Sequence, residues 1–185
     1  MKPDNTFKPT EISPGAVVPV RRCCSEFIGV VRAEGAYHLV AVRWIAAGAR
    51  LFRIEGEKTR QPTRYSVQIG EHLHIDLRNG YSSEEILDRY YWRFMNHSCE
   101  PNTLVRGQEV IASQDIEPWA NVTFNYNTTE YDMAEPFGCH CGSPDCLGTI
   151  KGFKHLTAEE RERLRESLSP HLRRLLRPCA EPELA

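Results

Sequence analysis

From Ala36 onward the apolar and polar positions fall into short bursts that suit half-buried strands: Tyr37 to Arg43, Arg50 to Ile54, Tyr65 to Ile69, His72 to Leu77, Thr103 to Arg106, Glu109 to Ala112 and Val122 to Tyr126. Leu73, Ile75 and Leu77 show the alternation most cleanly, placing three apolar side chains on one face. Gly48, Gly56, Gly70, Gly80 and Gly107 punctuate the bursts as turns. Ahead of them, Pro3, Pro9, Pro14 and Pro19 predict an extended lead-in with a short edge strand around Val17 to Arg21. Two stretches read as helical. Ser83 to Tyr91 follows a Ser82 or Ser83 cap and carries Glu84 and Glu85 in its first turn. Thr157 with Glu160 forms a capping-box signature before a stripe of Leu164, Leu168, Leu172, Leu175 and Leu176. Ser169-Pro170 breaks that stripe, which predicts one helix ending near Leu168, a second starting at Pro170, and a frayed tail after Arg177.

At 185 residues the chain is long enough for one domain with a small appendage. Lys and Arg total 23 against 25 Asp and Glu, so the net charge of −2 supplies no general footprint for nucleic acid. The basic residues of the C-terminal stretch interleave with Glu159, Glu160, Glu162 and Glu166, the pattern of a solvated helix face. Apolar runs such as Leu39 to Val42 are too short to span a bilayer, and the first residues lack the apolar centre of an export signal. A soluble intracellular protein is expected, cytoplasmic or nuclear, with no membrane contact. Seven cysteines in that setting point to thiols or metal rather than disulfides.

Cys139, Cys141 and Cys146 concentrate the chemistry in a loop rich in Gly and Pro. Thiolates suit zinc, and a structural zinc takes four ligands in a tetrahedron. The loop supplies three cysteines, leaving His140 or a remote cysteine for the fourth place. Cys99 is the best remote candidate, and at most one of the adjacent Cys23 and Cys24 could join. Cys23, Cys24 and Cys179 are otherwise expected to be free thiols. His38, His72, His74, His140, His155 and His171 suggest no role by position alone.

Cys99 lies in Arg93-Phe94-Met95-Asn96-His97-Ser98-Cys99-Glu100-Pro101-Asn102, directly after Tyr90, Tyr91 and Trp92. So many polar side chains beside large aromatics fit either a ligand pocket or a satisfied polar core. This segment resembles the first signature of SET-domain lysine methyltransferases. Asn121-Val122-Thr123-Phe124-Asn125-Tyr126 resembles the second signature, and Cys139-x-Cys141-x4-Cys146-x-Gly148 resembles the post-SET zinc loop, in the family's order. The resemblance spans about residues 27 to 153. It implies a mostly β, β-clip fold of short strands and small sheets, with a cysteine-rich loop and C-terminal helices. Its boundaries would be a lead-in over 1–26, a SET domain over 27–130, a post-SET loop over 131–153 and an extension over 154–185.

By the same resemblance, S-adenosylmethionine would be held by Tyr37, Arg93, Asn96, His97 and Tyr126, with Arg93 more a neighbour of the pocket than its centre. Tyr126 would be catalytic, Phe124 and Tyr131 would wall the lysine channel, and Cys99 would complete one structural zinc with Cys139, Cys141 and Cys146. The substrate would be a protein presenting a lysine. Two positions depart from the family pattern. Ala36-Tyr37-His38 stands where a Gly-x-Gly is usual, and Ile54 precedes Glu55-Gly56 where a channel tyrosine is common. These departures bear on the substrate more than the fold, so methylation of a small-molecule amine, or a non-catalytic module binding protein or cofactor, are the alternative readings.

Overall fold

The computed structural model describes residues 20–23, 26–33, 35–77 and 80–176. The proline-rich lead-in up to residue 19, Cys24, Cys179 and the tail from Arg177 lie outside them. The first sheet orders β1 (Val20–Cys23), β2 (Ile28–Ala33) and β3 (Ala36–Ala41), all antiparallel. β2 has no alternation to betray it. Its run Ile28, Val30 and Val31 is buried without a break, because both faces of the strand are covered.

The second sheet orders β4 (Arg50–Arg53), β10 (Glu109–Ala112) and β9 (Thr103–Arg106). Val110 pairs with Phe52 on one side and Val105 on the other, so their side chains enter one core. Gly107, at φ 62°, opens the tight turn between β9 and β10. The third sheet orders β5 (Glu57–Thr59), β7 (Leu73–Asp76) and β6 (Val67–Gly70). β5 is polar and only three residues long, which leaves no apolar pattern to read. Gly56 precedes it at φ 156°, where a Cβ would come within 2.6 Å of the Asp76 carbonyl.

α1 (Ser83–Arg89) starts at the capping box of Ser82 with Glu85 and is followed by a 3-10 turn over Tyr91–Phe94. β8 (Asn96–His97) pairs in parallel with β11 (Thr123–Phe124). The strand expected to run through Tyr126 stops at Phe124. Asn125 accepts from the Asn127 amide at 3.1 Å and bends Tyr126–Thr128 into a 3-10 turn. β12 (Phe137–Gly138) and β13 (Thr149–Ile150) flank the cysteine loop.

At the C-terminus α2 covers only Ala158–Arg163, followed by a 3-10 turn and then α3 (Pro170–Arg173) with Pro170 in its first turn. The longer helix expected up to Leu168 gives way at Leu164 to a 3-10 turn, and Arg106 of β9 caps the carbonyls that follow. The guanidinium donates to Glu166, to Ser167 at 3.1 Å and to Leu168 at 3.0 Å. Leu168 and Leu172 bury against Phe153 and Leu156 in a second small core, whereas Leu175 stays exposed. No helix among the described residues is long and apolar enough to cross a membrane.

Asn102 holds β8 and β11 in place. Its Nδ2 donates to the Asn121 carbonyl at 2.7 Å and its Oδ1 accepts from the Thr123 amide at 3.0 Å. Removing both leaves two partly buried backbone groups unpaired, so Asn102→Ala is expected to cost about 1–3 kcal/mol. Urea unfolding monitored by tryptophan fluorescence checks this.

Candidate active site and metal centre

The parallel pairing of β8 with β11 is the frame on which the site is built. It sets Asn96 opposite Thr123 and His97 opposite Phe124. Thr103 donates to the Thr123 carbonyl at 2.8 Å, and the Ser98 amide donates to the Phe124 carbonyl at 3.2 Å, so both ends of the pairing are closed. The turn after Phe124 then brings Tyr126 back over His97. The Tyr126 amide donates to His97 Nδ1 at 3.2 Å, and the Tyr126 hydroxyl donates to the Met95 carbonyl at 3.0 Å.

Above this frame lies a cavity of about 630 Å³. Its lining includes Gly35, Ala36, Tyr37, Arg93, Asn96 and His140 together with Thr63, Tyr65, Val67, Glu130, Met133, Phe124 and Tyr126. Asn96 donates to the Tyr37 carbonyl at 3.4 Å and meets His38 Nδ1 at 3.1 Å, which fixes β3 against β8 at the cavity wall. Gly35, at φ 81°, supplies the sharp turn at this rim one place ahead of Ala36-Tyr37-His38. Phe124 is buried with its ring 4.6 Å from that of Tyr126. Burial, with the neighbouring Glu130 charge adding to it, holds the Tyr126 phenol above the usual tyrosine range, so it keeps its proton at neutral pH.

The four sulfur atoms of Cys99, Cys139, Cys141 and Cys146 lie within 4.8 Å of one another. A tetrahedral zinc with bonds of about 2.3 Å separates its sulfurs by about 3.8 Å, so the tetrad fits such an ion. Its surroundings suit thiolates as well. The Cys99 amide points at Cys141 Sγ and the Leu147 amide at Cys99 Sγ, each at 3.5 Å. Burial pushes the Cys99 thiol up to about 12 and Cys139 above the usual thiol range, whereas Cys141, despite its burial, is drawn down to about 7 by backbone amides and neighbouring thiols. A divalent cation removes the penalty of gathering these groups as thiolates. His140 is not part of the tetrad. It is exposed and lines the cavity instead.

Tyr37, Arg93, Asn96, Phe124 and Tyr126 therefore meet at one cavity, while two expected site residues are placed differently. His97 is not among the lining residues. Its ring is buried beneath Tyr126, and Nε2 lies 3.3 Å from Cys99 Sγ. Since Nδ1 accepts from the Tyr126 amide, the proton of a neutral His97 sits on Nε2 and points at that sulfur. Tyr131 also stands apart from the cavity, 44% exposed, with its ring against Phe153. Arg93 both lines the cavity and stacks its guanidinium over the Tyr65 ring at 4.4 Å. Sequence reading passed over His38, His74 and Glu130, all buried polar groups beside the site. No spacing rule marks them, because each is a single polar residue inside a strand or turn.

The family model described as SET domain matches residues 36–127. A relative, "Methyltransferase flvH" of Aspergillus flavus, is 37% identical over 118 residues, covering 62% of this chain and 59% of that protein. "Histone-lysine N-methyltransferase, H3 lysine-36 specific" of Aspergillus oryzae is 33% identical over 107 residues, covering 53% of this chain but only 11% of that protein. The chain thus spans less than two thirds of either relative. Among solved structures, KRYPTONITE in complex with mCHH DNA, an H3(1-15) peptide and SAH aligns with a TM-score of 0.50 at 20% identity, over 66% of this chain and 29% of that one, a likeness of fold alone. With both signature segments paired around one cavity and the domain match spanning them, the chain carries a SET domain and belongs to the SET-domain family.

Proposed function

We propose that this chain transfers a methyl group from S-adenosylmethionine to the side-chain amine of a lysine in a protein substrate. The observation that carries this reading is the one cavity that Tyr37 and Asn96 line together with Phe124 and Tyr126. The names of the relatives, one a histone-lysine N-methyltransferase, and the SAH of the aligned structure support it. The cavity volume lies in the range of about 300–1,000 Å³ that suits such a ligand. Tyr37, Arg93, Asn96 and His140 are the lining residues that would hold it, and His97 backs them from below. Bound S-adenosylmethionine supplies an electrophilic methyl group on a sulfonium.

The chain's own residues prepare the amine. A lysine with an ordinary pKa of about 10.4 is almost wholly protonated at neutral pH, and its ammonium has no lone pair to offer. The rings of Trp92, Phe94, Phe124 and Tyr126 make an environment that disfavours the charged form. The Tyr126 hydroxyl gives its proton to Met95, so the phenol oxygen faces an incoming N–H as an acceptor. That hydrogen bond aims the nitrogen lone pair without removing a proton. The four thiols would bind one zinc with no open position, which makes the metal structural.

Two outcomes check this reading. With a labelled methyl donor and core histones, label is expected on lysine, and Tyr126→Phe should lower turnover by roughly 10²-fold while calorimetry shows the donor still bound. Label on a small amine with none on protein would replace the substrate assignment, and donor binding without turnover would favour a non-catalytic module. Elemental analysis should find about one zinc per chain, lost in both Cys99→Ser and Cys141→Ser. Because metal binding energy is folding energy, chelation should lower the melting temperature. A metal-free preparation with unchanged melting would refute the zinc assignment.

A further inference from the structure

Deprotonating an ammonium requires somewhere for its proton to go, and Tyr126 is not that place. Its hydroxyl already donates to Met95, and burial keeps it a neutral phenol. Four residues on, Glu130 lines the same cavity. The bond from its amide to the Tyr126 carbonyl, 2.9 Å, folds the chain back so that both side chains serve one space. Glu130 is 7% exposed. Its Oε1 is held by the Gln68 amide at 2.7 Å and by Thr129 Oγ1 at 3.3 Å. Its Oε2 lies 3.7 Å from His74 Nε2.

No fixed cation balances this carboxyl among the described residues. His74, on β7, is itself buried, and burial together with the nearby His171 of α3 keeps its pKa low, so it stands neutral. His171 is held low by burial too and meets the Thr129 carbonyl at 2.8 Å. Asp76 lies behind His74 and accepts from Thr63. Across the cavity, Arg64 is paired with Glu135 at 3.6 Å. Burial consequently raises Glu130 to about 7, near the pH at which a general base works best. A buried carboxyl that lines a cavity with no fixed cation beside it is a receptor for a cation that brings its own charge.

We propose that Glu130 receives the substrate ammonium in this cavity and takes its proton before methyl transfer. The inference rests on the methyl-transfer reading above. In the step, one N–H bond of the ammonium breaks and its electron pair stays on nitrogen, while the proton forms an O–H bond on Glu130. The freed nitrogen lone pair then bonds the methyl carbon as the carbon–sulfur pair departs with sulfur. The protonated Glu130 returns its proton to water past the exposed Glu135.

The test is the pH profile of kcat/KM, with core histones and N-acetyl-lysine methylamide as acceptors and the full chain as enzyme. Activity that needs ionised Glu130 rises with pH and levels off above about 7 in the wild-type protein. Glu130→Gln keeps an oxygen for the Gln68 amide but cannot take a proton. It should lose about 10²–10⁴-fold at pH 7 and regain rate steadily as pH climbs toward the acceptor's own pKa. Glu130→Asp keeps the carboxylate one methylene short, so a lower rate with the wild-type profile is expected, and it decides the matter should the Gln variant not fold. One profile shared by the wild-type and Gln proteins, or the same fractional loss at every pH, overturns the proposal alone. Wild-type protein that binds the donor yet methylates neither acceptor at any pH overturns the methyl-transfer reading and this inference with it.

Discussion

The parallel contact between Asn96–His97 and Thr123–Phe124 is the constraint on which the rest of the molecule depends. Two residues per strand make a weak pairing by themselves. Asn102 and Thr103 make it firm by tying the next turn of one segment to the backbone of the other. Only with that register does Tyr126 fall over His97 and Asn96 reach β3. A shift of one residue would turn His97 outward and Asn96 inward, because side chains alternate along a strand. The clamp thus chooses faces as well as adding stability.

The same register couples the thiol tetrad to the cavity. Cys99 lies two residues beyond His97, and the imidazole bridges from the Tyr126 amide to the Cys99 sulfur. An Nε2–H donor favours a thiolate there, and a thiolate held by a cation fixes the ring in turn. On the other side of the tetrad, the β12–β13 pair carries Phe137, whose ring meets His97 at 5.7 Å and Tyr126 at 5.9 Å. A metal bound by the tetrad would therefore steady a wall of the cavity as well as the cysteine loop.

Much of this was legible in the sequence, and the parts that were not share a cause. Strands with one more open face, such as Thr103–Arg106 and Glu109–Ala112, announce themselves by alternation. The doubly covered Ile28–Ala33 does not, and the polar Glu57–Thr59 carries no apolar mark. Local motifs also read correctly where the physics is local, as in the capping boxes at Ser82 and Thr157. They failed where a distant residue intervened. Arg106 caps the carbonyls that follow the C-terminal helix from about sixty residues away. The cysteine spacing left His140 and Cys99 both open as a fourth ligand. Three-dimensional proximity selects Cys99, in line with the family resemblance. Tyr131 was expected to wall the channel, but its ring turns to Phe153, and Glu130 and Met133 on either side of it line the cavity.

Glu130 and Tyr126 also answer why a single phenol is not enough for amine chemistry. A tyrosine that aligns a lone pair must stay neutral, and burial that keeps it neutral makes it a poor proton acceptor. Burial acts on a carboxyl in the opposite functional sense, lifting it from a feeble base to one matched to neutral pH. One dry environment therefore tunes two groups for two separate tasks. Gln68, Thr129 and His74 are the polar support that a strand-lined core would otherwise exclude. Gln68 and Thr129 give the carboxyl hydrogen bonds, and His74 stands 3.7 Å away, without a fixed counter-charge. Had Arg64 turned to Glu130 instead of Glu135, the pair would be satisfied and the carboxyl too acidic to take a proton.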